Sequence, residues 1–191
     1  PNSKGAEQIG FKYDGKAVTD FFARCEKGEV EGIVVFGQDL FSLYPNVGAT
    51  HASPLQRLKW SRFIGPNHNL MSEYASLALP SAVHMEKDGT FTNFEGRVQR
   101  FDRALDPIGE AKPEWRILVN LARQTGLHLH YDRADEIFKD LALSVEAFRG
   151  LDYEALLNER GNPLTAPPSS LLVSFKPDSP LHTQGEVIER L

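Results

Sequence analysis

Cysteine is almost absent: Cys25 stands alone among 191 residues. That excludes a disulfide framework, and any iron–sulfur cluster built from several thiolates of this chain. Long apolar runs are missing too. No stretch approaches the ~20 residues of a membrane helix and no basic-then-apolar leader opens the sequence, so direct membrane insertion is not expected. Neither sign of charge dominates: 21 Lys and Arg against 26 Asp and Glu give a net charge of -5, without the basic footprint that DNA or RNA requires. There is no G-x-S-x-G elbow, P-loop or complete G-x-G-x-x-G, and no internal repeat or low-complexity tract. The opening residue is Pro1 rather than Met, which leads us to expect a piece of a longer polypeptide. The length is nonetheless enough to bury a core.

What is present reads as alternating helix and strand. Val18, Phe21, Phe22 and Cys25 fall at i, i+3, i+4 and i+7, the apolar face of a helix over residues 16–26 that ends at Gly28. On that face Cys25 is a packing residue. Residues 32–37, GIVVFG, are β-branched and uniformly apolar, as in a strand covered on both faces. Residues 41–52 carry no period and read as a loop. Ser53-Pro54 signals a helix start with Leu55 and Leu58 facing inward. Residues 62–64 form the next strand, and a short helix lies near Met71. In an open parallel sheet ligands sit beyond the carboxyl ends of the strands, which places Gln38, Asp39 and residues 66–69 at the functional edge.

The stretch from Glu73 to Phe101 is the most particular. Leu77 to Leu79 is a short apolar run stopped by Pro80, with the look of a buried parallel strand. Glu86, Lys87, Asp88 and Gly89 make a polar turn in which Gly89 can supply a positive φ. Residues 90–94 and 97–101 then alternate with period two on either side of Glu95-Gly96, the pattern of a hairpin. Glu86, Lys87, Asn93, Arg97 and Gln99 could line a polar pocket or simply be a solvated turn. Farther on, Trp115, Leu118, Val119 and Ala122 mark an amphipathic helix between Pro113 and Gly126. Asp132 caps a helix bearing Ile137, Phe138 and Leu141, Ser144 starts another turn, and Asp152 opens a last one with Leu156 and Leu157. Residues 162–170 are rich in proline and small polar residues, and Leu171 to Phe175 could be an edge strand. Trp60 and Trp115 read as core residues. His128 and His130, two apart, would face one side of an extended segment and could ligate a metal, but no third ligand is evident and a solvated pair is the expected reading.

The residues also carry a family resemblance. Ala75-Ser76-Leu77-Ala78-Leu79-Pro80, followed by Glu86-Lys87-Asp88-Gly89-Thr90-Phe91-Thr92-Asn93-Phe94-Glu95-Gly96-Arg97-Val98-Gln99, resembles a signature of the molybdopterin oxidoreductase superfamily. The run from Asn2 to Gly10 and the segment Gly109-Glu110-Ala111-Lys112-Pro113-Glu114-Trp115 resemble its flanking pieces. Together they cover roughly the first two thirds of the chain. The resemblance implies an α/β fold: a partial Rossmann-like parallel sheet flanked by helices, as in formate dehydrogenase-like proteins, with a helical C-terminal extension. The expected layout is an α/β segment over residues 1–126, a helical extension over 127–161 and a Pro-rich linker and tail over 162–191.

Two functional expectations follow from the resemblance. In the first, the chain is the C-terminal scaffold of the large G subunit of NADH-quinone oxidoreductase, respiratory complex I. It then binds no cofactor itself, iron–sulfur clusters lie upstream in the parent polypeptide, and the partners are other subunits of the complex and the N-terminal part of the same chain. The location would be cytoplasmic, peripheral to the inner membrane. In the second, it is the cofactor-binding segment of a molybdenum or tungsten bis-molybdopterin guanine dinucleotide enzyme such as a formate dehydrogenase or nitrate reductase. By resemblance Lys87 then meets cofactor phosphate or pterin, Glu114 meets guanine, and Asn93 and Arg97 lie nearby. Neither reading gives the isolated piece catalytic residues, because a cofactor clamped between several domains needs donors from all of them. Three departures favour the scaffold. The loop Gly37-Gln38-Asp39-Leu40 lacks the family's Asn-Pro, Ile64 and Gly65 stand where a guanine-reading carboxylate is expected, and no long β-rich C-terminal domain follows.

Overall fold

The structure, a computed structural model, describes residues 2–11, 14–44, 53–157 and 161–164. They fall into two compact units, one containing residues 14–44 and 53–81, the other residues 2–11, 82–157 and 161–164. The grouping does not follow the boundary at 126, since residues 127–157 cluster with the hairpin. The fold is mixed α/β, with a three-stranded parallel sheet flanked by helices, as expected.

In the first unit the sheet has the order β1-β2-β3, with β1 Gly32–Phe36, β2 Trp60–Gly65 and β3 Leu77–Pro80. Register is set by Val35 beside Phe63 and Phe63 beside Ala78, which point to one face. On that face Val35, Phe63 and Met71 form a core joined by Ile33, Leu40, Phe41, Tyr74 and Ala75. Fully burying a side chain such as Phe63 stabilises by roughly 1.5–3 kcal/mol. The other face is only partly covered, with Val34 40%, Phe36 43% and Leu77 43% exposed. The expectation that β1 is covered on both faces is therefore corrected: its apolar run alternates between a buried and an open side. β3 likewise is an edge strand rather than a buried one, and an edge tolerates Pro80 because the missing N–H faces no ladder partner.

Helix α2, Gly15–Glu26, begins where Asp14 accepts from Lys16 N, and Cys25 on its apolar face is fully buried. It packs against a 3₁₀ turn, Pro54–Arg57, capped by Ser53 and anchored by the fully buried Leu55. The sequence signal for a longer helix here yields only this turn. Helix α3, Leu40–Leu43, occupies the start of the segment expected to be a loop, whose residues 45–52 lie outside the described ones. Helix α4, Leu70–Tyr74, packs on β2.

The second unit holds α1, Ser3–Gln8, and a hairpin of β4, Gly89–Thr92, and β5, Arg97–Phe101. Gly96 takes the positive φ of the turn at 79°, and Gly89 does not. Gly89 instead makes room: a Cβ there would lie 2.8 Å from Phe101 Cζ. A two-residue strand β6, Asn162–Pro163, pairs with β5, while Leu171 to Phe175 lie outside the described residues. Helices α5, Glu114–Gln124, and α6, Ala134–Ser144, follow the hairpin. On α5 the buried side chains are Ile117, Val119 and Ala122, with Leu118 43% exposed, so the buried stripe is displaced from the expected one. Asp132 does not cap α6. Glu136 reaches back to the N–H groups of Asp132 and Arg133, freeing the Asp132 carboxylate for Arg116. Val98, Phe138, Ala142, Ala147, Phe148 and Leu156 close this unit's core. Among the described residues no helix is long and apolar enough to cross a membrane.

Two tests follow. A Cβ on Gly65 would lie 2.3 Å from Cζ of the buried Phe63, so Gly65→Ala should overpack the core and lower unfolding stability by roughly 1–3 kcal/mol in urea. Adding Phe63→Leu should recover part of that loss, because the two sites share one space. Separately, Tyr131 donates to Asp140 Oδ2 at 2.7 Å, and this hydrogen bond, then burial, push the phenol up to about 12 from 10.0. A raised folded pKa means the contribution is complete below pH 10.0 and is lost as pH rises toward about 12. The thermal midpoint of the native protein should fall across that window more steeply than that of Tyr131→Phe.

Candidate functional site

The carboxyl edge of the parallel sheet opens into two loops. After β1, Gly37 turns at φ 63° with its N–H bonded to Ile64 O at 2.8 Å. Asp39, an anion at the expected functional edge, spends both oxygens on α3: Oδ1 accepts from Phe41 N at 3.1 Å and Oδ2 from Ser42 Oγ at 2.7 Å. After β2, Asn69 and Ser72 form a reciprocal capping box at the start of α4. Ile64, where a guanine-reading carboxylate would be sought, is 1% exposed. The polar groups of this edge are thus largely committed to ending strands and starting helices.

The second unit contains a cleft of about 390 Å³. One wall is the polar turn leading into the hairpin, with Glu86, Lys87 and Asp88. A 3₁₀ turn, His84–Glu86, and β4 fix these residues. Glu86 is buried and its Oε2 accepts from Val83 N, so it is structural. Lys87 Nζ bonds Glu114 Oε2 at 2.6 Å, and the side chains are 20% and 32% exposed. The pair ties the turn to the first residue of α5, where a carboxylate also complements the helix dipole. It leaves Lys87 further donors.

The remaining walls come from β5, α5, residues 132–135 and Tyr153. Two cation–π contacts line them: Arg100 lies 4.4 Å from the Tyr153 ring centre and Arg116 4.5 Å from that of Trp115. Burial works against the Arg100 charge, but Asp102 at 2.8 Å and Glu154 at 3.1 Å outweigh it and raise its pKa. Burial pushes the Tyr153 phenol up, and its OH and Trp115 Nε1 are buried without hydrogen-bond partners. Trp115 is therefore a cleft wall rather than the core residue expected.

Of the four sequence-derived candidates, Lys87 and Glu114 are brought together and Asn93 and Arg97 are placed elsewhere. Asn93 Oδ1 accepts from Glu95 N and Arg97 N at 2.9 Å each, holding the hairpin tip, and Arg97 Nη2 donates to Gly161 O at 2.8 Å. Neither they nor Gln99 line the cleft. Sequence reasoning missed Arg100, Arg103, Arg116, Arg133 and Tyr153 as cleft residues. Arg100 could have been found from strand alternation, which sets it on the Val98 side, opposite Gln99. Arg133 and Tyr153 lie too far along the chain for any pattern to have pointed to them.

The comparisons with known proteins agree with this architecture. Residues 7–124 match the family model "Molybdopterin oxidoreductase". Curated relatives include proteins named "putative formate dehydrogenase" in Staphylococcus aureus strains USA300 and NCTC 8325, each 31% identical over 157 residues, and one in the bovine strain RF122, 30% identical over the same length. The match covers 81% of this chain but 16% of each relative, so the chain spans only a small part of their length. These relatives lend no support to the complex I reading. Matched across most of its α/β region, the chain belongs to the molybdopterin oxidoreductase family.

Proposed function

We propose that this chain is a cofactor-binding segment of a molybdenum or tungsten oxidoreductase of the formate dehydrogenase type, holding part of a molybdopterin guanine dinucleotide. The observation that carries the reading is the meeting of Lys87 and Glu114, 27 positions apart, at 2.6 Å on one partly exposed face. By resemblance Lys87 stands where the family meets phosphate or pterin, and Glu114 where an acidic residue meets guanine. The supporting relatives are named "putative formate dehydrogenase", and the chain covers only 16% of their length. The substrate and redox partner of the whole protein belong to the same proposal.

The donor set beside that pair suits such a ligand. Pyrophosphate and a fused heterocycle need cations and flat apolar surfaces, and the cleft lined by Lys87 offers Arg103, Arg116 and Arg133 together with the rings of Trp115 and Tyr153. Arg103 pairs with the exposed Asp106 at 3.5 Å, and Arg133 makes a bidentate pair with the partly buried Asp135 at 2.8 Å. The exposed Arg103 pair is held weakly, so an incoming anion can displace it. When bound, the cofactor supplies the two-electron redox chemistry at its metal. The residues here bind and orient: Lys87 places positive charge toward the anionic part, while Glu114 holds Lys87 in position. Asn93 and Arg97 do not touch the ligand in this reading. They fix the hairpin that carries Lys87.

A second reading retains two specific observations. Ile64 is buried where a guanine-directed carboxylate would stand, and Asp39 is occupied in capping, as suits a scaffold of the complex I type that has no pterin.

The two readings separate on the native polypeptide that carries this sequence, purified from its host. Molybdenum or tungsten near one per chain, with pterin released on oxidation, is the expected result; iron without pterin would overturn the proposal in favour of the scaffold. In the loaded protein, Lys87→Ala should lower pterin occupancy by roughly ten-fold or more, equal to at least about 1.4 kcal/mol of binding. Lys87→Arg should keep the charge and recover part of it. An unchanged pterin content in Lys87→Ala would remove Lys87 from the site.

A further inference from the structure

A pair of histidines outside the cleft carries a second inference. His128 and His130 lie in the connection between α5 and α6, in a stretch that is neither helix nor strand. Exposure alternates along it: Leu127, Leu129 and Tyr131 are half-buried, and His128 and His130 are exposed. The backbone is tightly turned at His128, where Leu129 N donates to Leu127 O at 3.2 Å, and the two imidazoles lie on the exposed side of this connection. The rings stand with their centres 5.9 Å apart and their planes 17° from parallel.

The distance decides what the pair can do. A divalent transition metal sits about 2.0–2.1 Å from an imidazole nitrogen, hence about 3.2 Å from the ring centre, so two rings on one ion can be no more than about 6.4 Å apart. The observed 5.9 Å is inside that limit but wider than the roughly 4.5–5.2 Å of two rings bound at 90–109°, so the exposed rings must also swing together. The nearly parallel planes require one ring to turn about χ2, a broad torsion that exposure leaves free. No buried charge has to be desolvated. Among the described residues no group of three or more His, Cys, Asp and Glu gathers around an ion, so water would complete the coordination.

We propose that His128 and His130 form a two-imidazole chelate for a borderline divalent transition metal, with Cu(II) bound ahead of Ni(II) and Zn(II). Nitrogen ligands select these ions over Mg(II) and Ca(II), and the order among them follows their general affinity for such donors. The site is independent of the cofactor reading, since neither histidine lines the cleft.

Titration of the 191-residue chain with Cu(II) by calorimetry, with paramagnetic resonance of the first equivalent, tests it. One site with a micromolar dissociation constant and a two-nitrogen hyperfine pattern is expected. His128→Asn and His130→Asn should each weaken it roughly ten-fold or more, because one imidazole cannot chelate. Asn keeps the exposed surface polar, and unchanged far-UV circular dichroism would show that the variants fold. His68→Asn and His84→Asn should leave the first equivalent in place. Retention of the tightest copper site in the double variant His128→Asn/His130→Asn, or single variants that bind as well as the native chain, would overturn the proposal.

Discussion

Each place where a strand ends or a helix begins frees backbone N–H groups that must find an acceptor, and this constraint shapes more of the molecule than any charge pair does. The chain meets it with short polar side chains. Asp14, Asp39, Ser53, Asn69 and Asp152 each accept from an N–H two or three residues ahead. Asn93 closes the hairpin tip, and Glu86 and Glu136 reach back to the N–H groups of Val83 and Arg133. With so many short elements, from the four residues of α3 to the four of β3, the demand for caps is high. Polar residues are consumed in meeting it.

That consumption explains where the sequence was readable and where it misled. The parallel strands, α2, the hairpin and α5 were legible because apolar periodicity and Gly or Pro punctuation are local signals. Cys25 was placed correctly in the core from its helical spacing alone. Pattern does not reveal what a polar side chain bonds to. By resemblance Asn93 and Arg97 lie near the ligand, and in the structure one is a turn acceptor and the other is bound to the Gly161 carbonyl. Asp132 looks like a helix cap, and Arg116 holds it instead. The faces of β1 and β3 misled for a related reason. An apolar run says that a strand can be buried on both sides, whereas coverage depends on what else packs there.

Lys87 and Glu114 escape this pattern, and that gives them their weight. Their charges meet each other at 2.6 Å. Their bond joins the start of the hairpin to the start of α5 across 27 residues. With its side chains only 20% and 32% exposed, the pair is largely shielded from water, and its short charge-assisted bond holds the two starts together. It does so at positions where the family resemblance expects cofactor contacts, so it both holds the local fold and presents Lys87 to the cleft.

The same logic weighs the two functional readings. A segment that only scaffolds has no use for a cluster of arginines beside a partly solvated lysine, because ordering those long side chains costs entropy that surface pairs barely repay. Arg100 and Arg116 reduce that cost by stacking on Tyr153 and Trp115, which holds their guanidinium groups at the cleft wall. The stacking also leaves the ring edges, Trp115 Nε1 and the Tyr153 hydroxyl, buried without partners. Such donors carry a desolvation cost of about 1–3 kcal/mol each. Spending stability at one cleft while capping carefully elsewhere is the expected economy of a site kept for a ligand. On that ground the cofactor-binding reading accounts for more of this chain than the scaffold reading does, even with Ile64 standing in place of a carboxylate.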